Sequence, residues 1–516
     1  MTQTTSARPT TPASTRRWLA LAVLMFPVLL ISVDNTVLSF AVPALSKALA
    51  PTSDQLLWMI DVYPLVLAGL LVPMGSLGDR IGRKRLLLVG SAGFGVVSAL
   101  AAFSPSAEWL IAARALLGFF GSMLMPATLS LIRSIFTDQD ERRRAIAIWA
   151  AGFAGGAALG PILGGWLLEH FAWGSVFLLA VPMLLPILLA GPFLIPEFKD
   201  PQPGPVDPLS IALAILALAP LVFGIKLAAK GADPVVAAAA VAIGLASGWL
   251  FVRRQLRRPI PMLDVRLFRN PTFSGALAVN LLSIFSMVGF IYFLTQHLQL
   301  VAGLSPMQAG VLMVPGLALS IVSGLGAAWL ARHVAVSTLM VFGLGLNAVA
   351  YGLVLLVAQA DSVLPLMGAF AVLGLGVGLS ETLSNDLALS AVPPAKAGAA
   401  SAISETAYET GTVLGTAVLG GLLNAAYTRN LRLPDGLGGA DAAAASQTLG
   451  GAHDVAARLP SDQAAALLES AAHAFDSGVA VTASIGMATA VVAAVVIHRA
   501  LRRQPVAVAP TGEPHA

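Results

Sequence analysis

Long apolar runs separated by short polar turns follow one another along this chain. From Trp18 to Val33 it reads WLALAVLMFPVLLISV, without one charged residue. A helix needs roughly 20 predominantly apolar residues to cross the hydrocarbon core of a bilayer. Runs of that kind recur near 18–41, 55–77, 86–104, 109–135, 144–168 and 174–195, then near 208–228 and 234–252. Six more follow near 273–295, 307–331, 337–358, 363–388, 399–424 and 478–498. The pattern predicts an all-α polytopic membrane protein with about fourteen transmembrane helices. The first run has the basic flank of a signal peptide, but it is longer than one and lacks a cleavage site. It also continues past Asp34 to Pro43, so it reads as a retained first span.

The polar breaks divide the spans six, two and six. PEFKDPQPGPVDP (196–208) and RRQLRRPIPMLDVRLFRNP (253–271) bracket the middle pair. This predicts a disordered tail over 1–17, a six-helix bundle over 18–200 and two inserted helices over 201–256. A second six-helix bundle follows over 257–503, then a disordered tail over 504–516. Internal duplication of this kind places a binding site near the midplane between the halves. The connection 427–476 is unusually long, and its two Ala-rich stretches, 439–459 and 461–475, predict a helical hairpin over one mouth of the molecule.

Arginine and lysine set the orientation, because short cytoplasmic loops carry their excess. Arg16 and Arg17 precede the first span, Arg80, Arg83, Lys84 and Arg85 follow the second, and Arg142, Arg143 and Arg144 follow the fourth. Arg253, Arg254, Arg257 and Arg258 follow the eighth, and Arg502 and Arg503 the last. With an even number of spans these all fall on one side, which puts both termini on the cytoplasmic face of the membrane. Lys226 and Lys230 run against the rule.

Composition excludes several alternatives. Hydrophobic residues make up 57% of the 516 and charged residues only 11%, whereas soluble domains are about one quarter charged. Mean hydropathy is +0.83. There is no cysteine, hence no disulfide, zinc knuckle or thiol chemistry. The pI near 9.6 reflects loop charges that follow the topology, so no nucleic-acid partner is expected. No H-E-x-x-H, P-loop or Ser/His/Asp pattern occurs, and the glycines of 93–97 and 374–378 lie inside apolar helices, where they serve packing. An enzyme or an ATP-driven pump is unsupported; no cofactor is expected, and an ion gradient must supply the free energy.

Against this apolar background the buried acids stand out. An aspartate at the bilayer centre costs about 2.5–3.5 kcal/mol on insertion scales, so such residues face a cavity or a partner. Asp34 lies near the middle of the first span, and Asp61 about two turns inside the second. Glu405 and Glu409 stand four apart, on one helix face. Glu381 and Asp386 add two acids to the twelfth span, each with a structural or gating reading as open as a site reading. Arg114 is the one clear basic partner at comparable depth.

The loop GSLGDRIGRKR (75–85) has the spacing G-x-x-x-D-R-x-G-R-K between two spans. This is the signature loop of the major facilitator superfamily, which the chain resembles here without departure. AARALLGFFGSMLMP (112–126) resembles that family's proton-linked motif, with Arg114 in the place of its membrane arginine. GGAALGPILGG (155–165) is similar to the motif of its antiporters. VDNTVLSFAVPAL (33–45), the second span and AGAASAISETAYETGTVLGTAVLG (397–420) resemble the fourteen-span drug:proton antiporters.

That resemblance implies the major facilitator fold, two six-helix bundles plus two inserted helices, and export of lipophilic cations in exchange for protons by alternating access, the protein acting as a monomer in the lipid bilayer. Dyes, quaternary ammonium biocides and fluoroquinolones are the substrate classes it suggests. Burial and like-charge repulsion favour the protonated form of a carboxyl group, and a group so placed can hold a proton or a cation in turn. Asp34 is then a coupling carboxylate tuned by Arg114. By resemblance Glu409 is the second, and Glu405 and Asp61 are cation contacts. Tyr408, Trp149, Trp58 and Phe285, with Tyr63, Met125 and Phe153, are candidates for an aromatic and methionine wall that attracts cations. Asp79, Arg80, Gly82 and Arg83, the packing positions Gly160, Pro161 and Gly164, and Asp386 are candidate gating residues. Asp79 is expected to pair with Arg83 and with the N-terminus of the thirteenth span. Ser404 stands where some relatives carry an additional acid, which favours monocations over bulky dications. An exporter dedicated to one metabolite or antibiotic, or a non-transporting membrane sensor, would share these features.

Overall fold

Helices account for nearly all the described chain, because in hydrocarbon every backbone N–H and C=O must be satisfied within the segment that carries it. The computed structural model describes residues 12–200, 206–230, 233–357, 362–393 and 397–502. The predicted tails over 1–11 and 504–516, and the Pro-rich stretch 201–205, lie outside the described residues.

The first half is built from α1 (Pro12–Leu49), α2 (Ser53–Ile81), α3 (Arg83–Ala101), α4 (Ala107–Ile135) and α5 (Gln139–His170). Its sixth span is the short α6 (Ser175–Leu178) followed directly by α7 (Ala180–Leu194). The inserted pair is α8 (Pro208–Lys230) and α9 (Pro234–Arg257). The second half comprises α10 (Pro271–Gln296), α11 (Pro306–Leu330), α12 (Val336–Val357) and α13 (Leu364–Ser390). It continues with α14 (Ala397–Leu414), a π-helical segment (Gly415–Gly420) and α15 (Gly421–Asn430). Then come the short α16 (Gly439–Gln447) and α17 (Leu449–Ala456), and the long α18 (Ser461–Arg502). Among the described residues, thirteen helices are long and apolar enough to cross a membrane. The run from α14 through α15, broken by the π-helical segment, occupies the place where a further span was expected and is not among the thirteen. The protein is a multi-pass membrane protein.

Two boundaries differ from expectation. Residues 12–17 are not part of a disordered tail but the first turns of α1. Arg17 pairs with Glu141 of α5 at 2.9 Å, and Arg16 donates to the Phe193 carbonyl at the end of α7. The long connection is also shorter than predicted. The stretch 461–475 is not one arm of a hairpin but the start of α18, unbroken into the last span. Ala and Leu carry the helix through without a capping signal, so hydropathy alone misplaced its start. The remaining short helices still cover one end of the molecule: Gln447 accepts from the Ser53 backbone at 3.2 Å, and Tyr427 donates to the Ala445 carbonyl.

Glycines let the helices approach closely, both within the first half and where the halves meet. A Cβ on Gly156 would sit 2.8 Å from Ser32 Cβ, and one on Gly160 would land on the Thr36 hydroxyl. Gly164 faces Val37 and Phe40, so α5 lies along α1 through a stripe of small residues. At the end away from the termini, α5 also touches α11. A Cβ on Gly165 would stand 2.7 Å from the Pro306 carbonyl, and Gly310 packs on the Pro161 carbonyl. Glu169 accepts from Ser305 Oγ (3.0 Å) and from the Met307 amide. The two halves are thus closed against each other at that end. The inserted pair packs through Gly224 and Gly244. Arg254 clamps Asp207 with two hydrogen bonds at 2.8 and 3.0 Å, which hold the Asp207 carboxyl well below its ordinary range.

Candidate functional site

The signature loop is a structured turn. Gly82 ends α2 and starts α3 with φ +114°, a conformation that favours glycine. A side chain there would also strike the Glu197 carboxylate. Asp79 accepts from Arg83 at 2.8 Å, and Arg83 reaches Ser134 of α4 at 3.0 Å. Glu197 receives the Lys84 amide at 3.0 Å, and Arg80 is partnered as well. The expected Asp79–Arg83 pair is present. The segment just before α14 that was to be its second partner, 394–396, lies outside the described residues. Asp386 is exposed near the end of α13, and no contact ties it to the opposite half among the described residues.

Deeper in the first half, Arg114 of α4 donates to Asp34 of α1 at 2.8 Å. The Arg114 side chain is 2% exposed and that of Asp34 12%. The guanidinium also donates to the Met59 carbonyl at 3.2 Å and lies 4.3 Å from the centre of the Tyr63 ring. Three elements therefore hold one cation, which fixes α1, α2 and α4 around it.

Across the seam, α14 presents the opposite balance. Glu409 is buried, and its Oε2 has no hydrogen-bond partner. It lies within electrostatic reach of Asp34, Arg114 and Glu405, and Glu405 within reach of Glu381 on α13. Tyr408 lies within electrostatic reach of all three glutamates. None of the three has a basic partner at ion-pair distance among the described residues. Sequence reasoning left Glu381 undecided; its packing against α14 brings it into this group.

Aromatic side chains join the halves beside these acids. Trp149 stacks on Phe153 with centroids 6.3 Å apart, and Phe153 meets Tyr408 edge-on at 6.1 Å. The Trp149 indole donates to Thr128 at 3.3 Å. Of the candidates, these three form one aromatic cluster, carried by α5 and α14. Other candidates sit elsewhere. Phe285 is buried in the core, and its carbonyl would stand 2.7 Å from a Cβ on Gly415, so α10 lies close along the π-helical segment there. Met125 is buried in the core as well. Trp58 lies on the other side of α2.

Asp61 also requires correction. It was expected to meet substrate, but its carboxylate is fully buried and lies 2.6 Å from the Lys226 ammonium of α8. Lys226 is no stray loop charge, and Arg114 is not the one deep cation. The missed signal was an unexplained lysine four residues from the end of an otherwise apolar helix. Ser404 is likewise taken up in packing. It shares a network with Asn280 of α10 (3.1 Å) and Asn385 of α13, so an acid at this position would point between helices.

Two helical halves closed at one end, with unpaired carboxylates and an aromatic bridge on their seam, define a carrier-type membrane protein. The sequence profile of the Major Facilitator Superfamily matches residues 24–416, and the chain belongs to that superfamily. It is 55% identical to the multidrug efflux pump LfrA of Mycolicibacterium smegmatis, over 96% of this chain and 98% of that protein. It is 38% identical to the methyl viologen resistance protein SmvA of Salmonella typhimurium, over 89% and 93% of the two chains. Its identity to a tetracenomycin C resistance and export protein of Streptomyces glaucescens is 32%, over 94% and 92%. Among solved structures, it shares its fold with a bacterial homologue of the lysosomal transporter Spinster in an inward-facing conformation. The TM-score there is 0.64 at 15% identity, covering 96% of this chain and 99% of that one.

Proposed function

We propose that this protein is a multidrug efflux antiporter that exports lipophilic cationic compounds in exchange for protons by alternating access. The observation that carries the reading is Glu409: a buried carboxylate with an unpartnered oxygen, beside an Asp34–Arg114 pair and next to the aromatic bridge of Trp149, Phe153 and Tyr408. Such a group can take a proton or a cation, and it cannot hold both. The drug-export names of its relatives agree with this reading.

In the proposed cycle, a cation enters between the halves from the cytoplasmic face, where both termini lie, and displaces a proton from the glutamates of α13 and α14. Its apolar body lies against the aromatic wall, since cations are drawn to aromatic faces. Arg114 holds Asp34 in reach of Glu409, so the charge on one acid is felt by the other. The halves then close at the cytoplasmic end and part between α5 and α11, and the cation leaves. Protons returning to the glutamates reset the carrier. One proton moving inward down 100 mV supplies about 2.3 kcal/mol, plus any pH gradient. The protein works as a monomer in a bacterial inner membrane.

Proteoliposomes with an imposed pH gradient test the proposal. Ethidium movement should follow the gradient, and adding ethidium should release protons from the purified protein. Ethidium movement indifferent to the gradient would overturn the coupling. The tetracenomycin-exporting relative favours a second reading, export of one dedicated compound, and a panel of chemically unrelated cations separates the two.

A further inference from the structure

The Asp61–Lys226 pair lies apart from the site just described. Residues two apart on a helix point in nearly opposite directions, so Asp61 faces away from Met59 and Tyr63, which hold Arg114. It faces instead the groove between α8 and the π-helical segment. Thr416 of that segment neighbours its carboxylate. The Lys226 ammonium is 2.6 Å from Asp61 Oδ2 and 4.2 Å from the centre of the Trp58 ring. The two side chains are 3% and 0% exposed. One turn further along the same groove, Leu65, Leu218, Val222, Thr410 and Val413 line a small cavity of about 30 Å³.

A carboxylate, an aromatic face and an apolar slot are what a lipophilic ammonium ion requires of a binding site. Here the carboxylate and the aromatic face are present with apolar side chains along the groove, and the ammonium belongs to the chain itself. We propose that Asp61 and Trp58 form a second cation subsite, and that Lys226 is its tethered occupant, which sets the charge of the cations the carrier accepts. Glu405, Glu409 and Thr412 of α14 follow one helix face by their spacing, and Thr416 of the π-helical segment continues it, its hydroxyl donating to the Thr412 carbonyl at 3.3 Å. Glu409 and Thr416 are thus about 10 Å apart along the axis. A dication with centres that far apart would reach from Glu409 to Asp61 if Lys226 were gone. With Lys226 in place, its second charge meets a neutralised pair, and the carrier favours monocations.

The inference rests on the export reading above, and its test separates the two. Efflux of ethidium and of a bis-quaternary ammonium alkane with centres about 10 Å apart is measured for wild type, Lys226→Ala and the double variant Asp61→Asn/Lys226→Ala. Lys226→Ala frees both the carboxylate and the space beside it. The dication-to-ethidium ratio should rise about tenfold, the scale of one hydrogen bond to a charged group. In the double variant it should return to the wild-type value. Where the alanine protein fails to insert, Lys226→Gln removes the charge but keeps most of the volume, and the ratio should rise in the same direction by a smaller factor. A ratio unchanged in every inserted variant would reduce Lys226 to a packing residue. So would a rise that persists without Asp61. Wild type that moves no ethidium would sink the export reading instead, independently of the ratio.

Discussion

Asp34→Asn separates coupling from folding. The substitution keeps the shape of the side chain and removes its charge. Asparagine Oδ1 can still accept from Arg114, so the change weakens one charge-assisted bond of 2.8 Å without stranding the guanidinium. Arg114 also keeps the Met59 carbonyl and the Tyr63 ring. Hydrogen bonds to charged groups contribute about 1.5–3 kcal/mol, and with a neutral acceptor remaining, the expected loss is near the lower end. Arg114→Gln is the harsher change. It leaves a carboxylate 12% exposed with no cation, and breaking a buried pair in this way costs about 3–5 kcal/mol. Detergent-solubilised Asp34→Asn should therefore unfold only slightly earlier than wild type, Arg114→Gln markedly earlier, and the double neutral variant in between. Function should not follow that order. If Asp34 is a coupling group, Asp34→Asn loses ethidium-induced proton release and gradient-driven efflux although it is nearly as stable as wild type. Wild-type proton release in Asp34→Asn would make that aspartate purely structural and remove it from the mechanism.

Other substitutions probe the rest of the seam. Glu409→Gln should abolish gradient-driven efflux, while Glu405→Gln should change the ranking of cations in a transport panel more than it changes proton release. Gly160→Leu must push α5 from Thr36 of α1; overpacking costs about 1–3 kcal/mol, and a well-inserted variant should bind ethidium yet fail to cycle. The chain has no cysteine, so Glu169→Cys with Ser305→Cys gives a clean reporter of the closed end. A short bifunctional thiol reagent should arrest efflux there, and a reducing-agent-cleavable version should restore it. On the terminal face, Arg254 depresses the Asp207 carboxyl, so that pair contributes stability above the ordinary carboxylate range and loses it on acidification. Asp207→Asn should lower thermal stability at neutral pH, and its deficit should shrink as the pH falls below about 4.

The spans, the signature loop and the principal acids were legible in the sequence because each rests on local physics. A long apolar run must form a helix in hydrocarbon whatever surrounds it, and an intramembrane acid is costly wherever it sits. Asp34 with Arg114 and Glu405 with Glu409 followed from that reasoning; the aromatic trio of Trp149, Phe153 and Tyr408 was drawn by the structure from seven candidates. What the sequence left open was which charges cancel. Asp61 and Lys226 look alike from their own helices, each a charge among apolar residues, and only the docking of α8 on α2 makes them a pair. The same docking removes Asp61 from the set of open carboxylates and leaves Glu381, Glu405 and Glu409 unpaired. Helix packing decided the remainder: it ties Ser404 to Asn280 and Asn385 between helices and brings Glu381 beside Glu405. Hydropathy fixes how far a residue lies along the membrane normal; the contacts between helices fix which neighbour it faces, and with that whether a buried charge is balanced or free to bind.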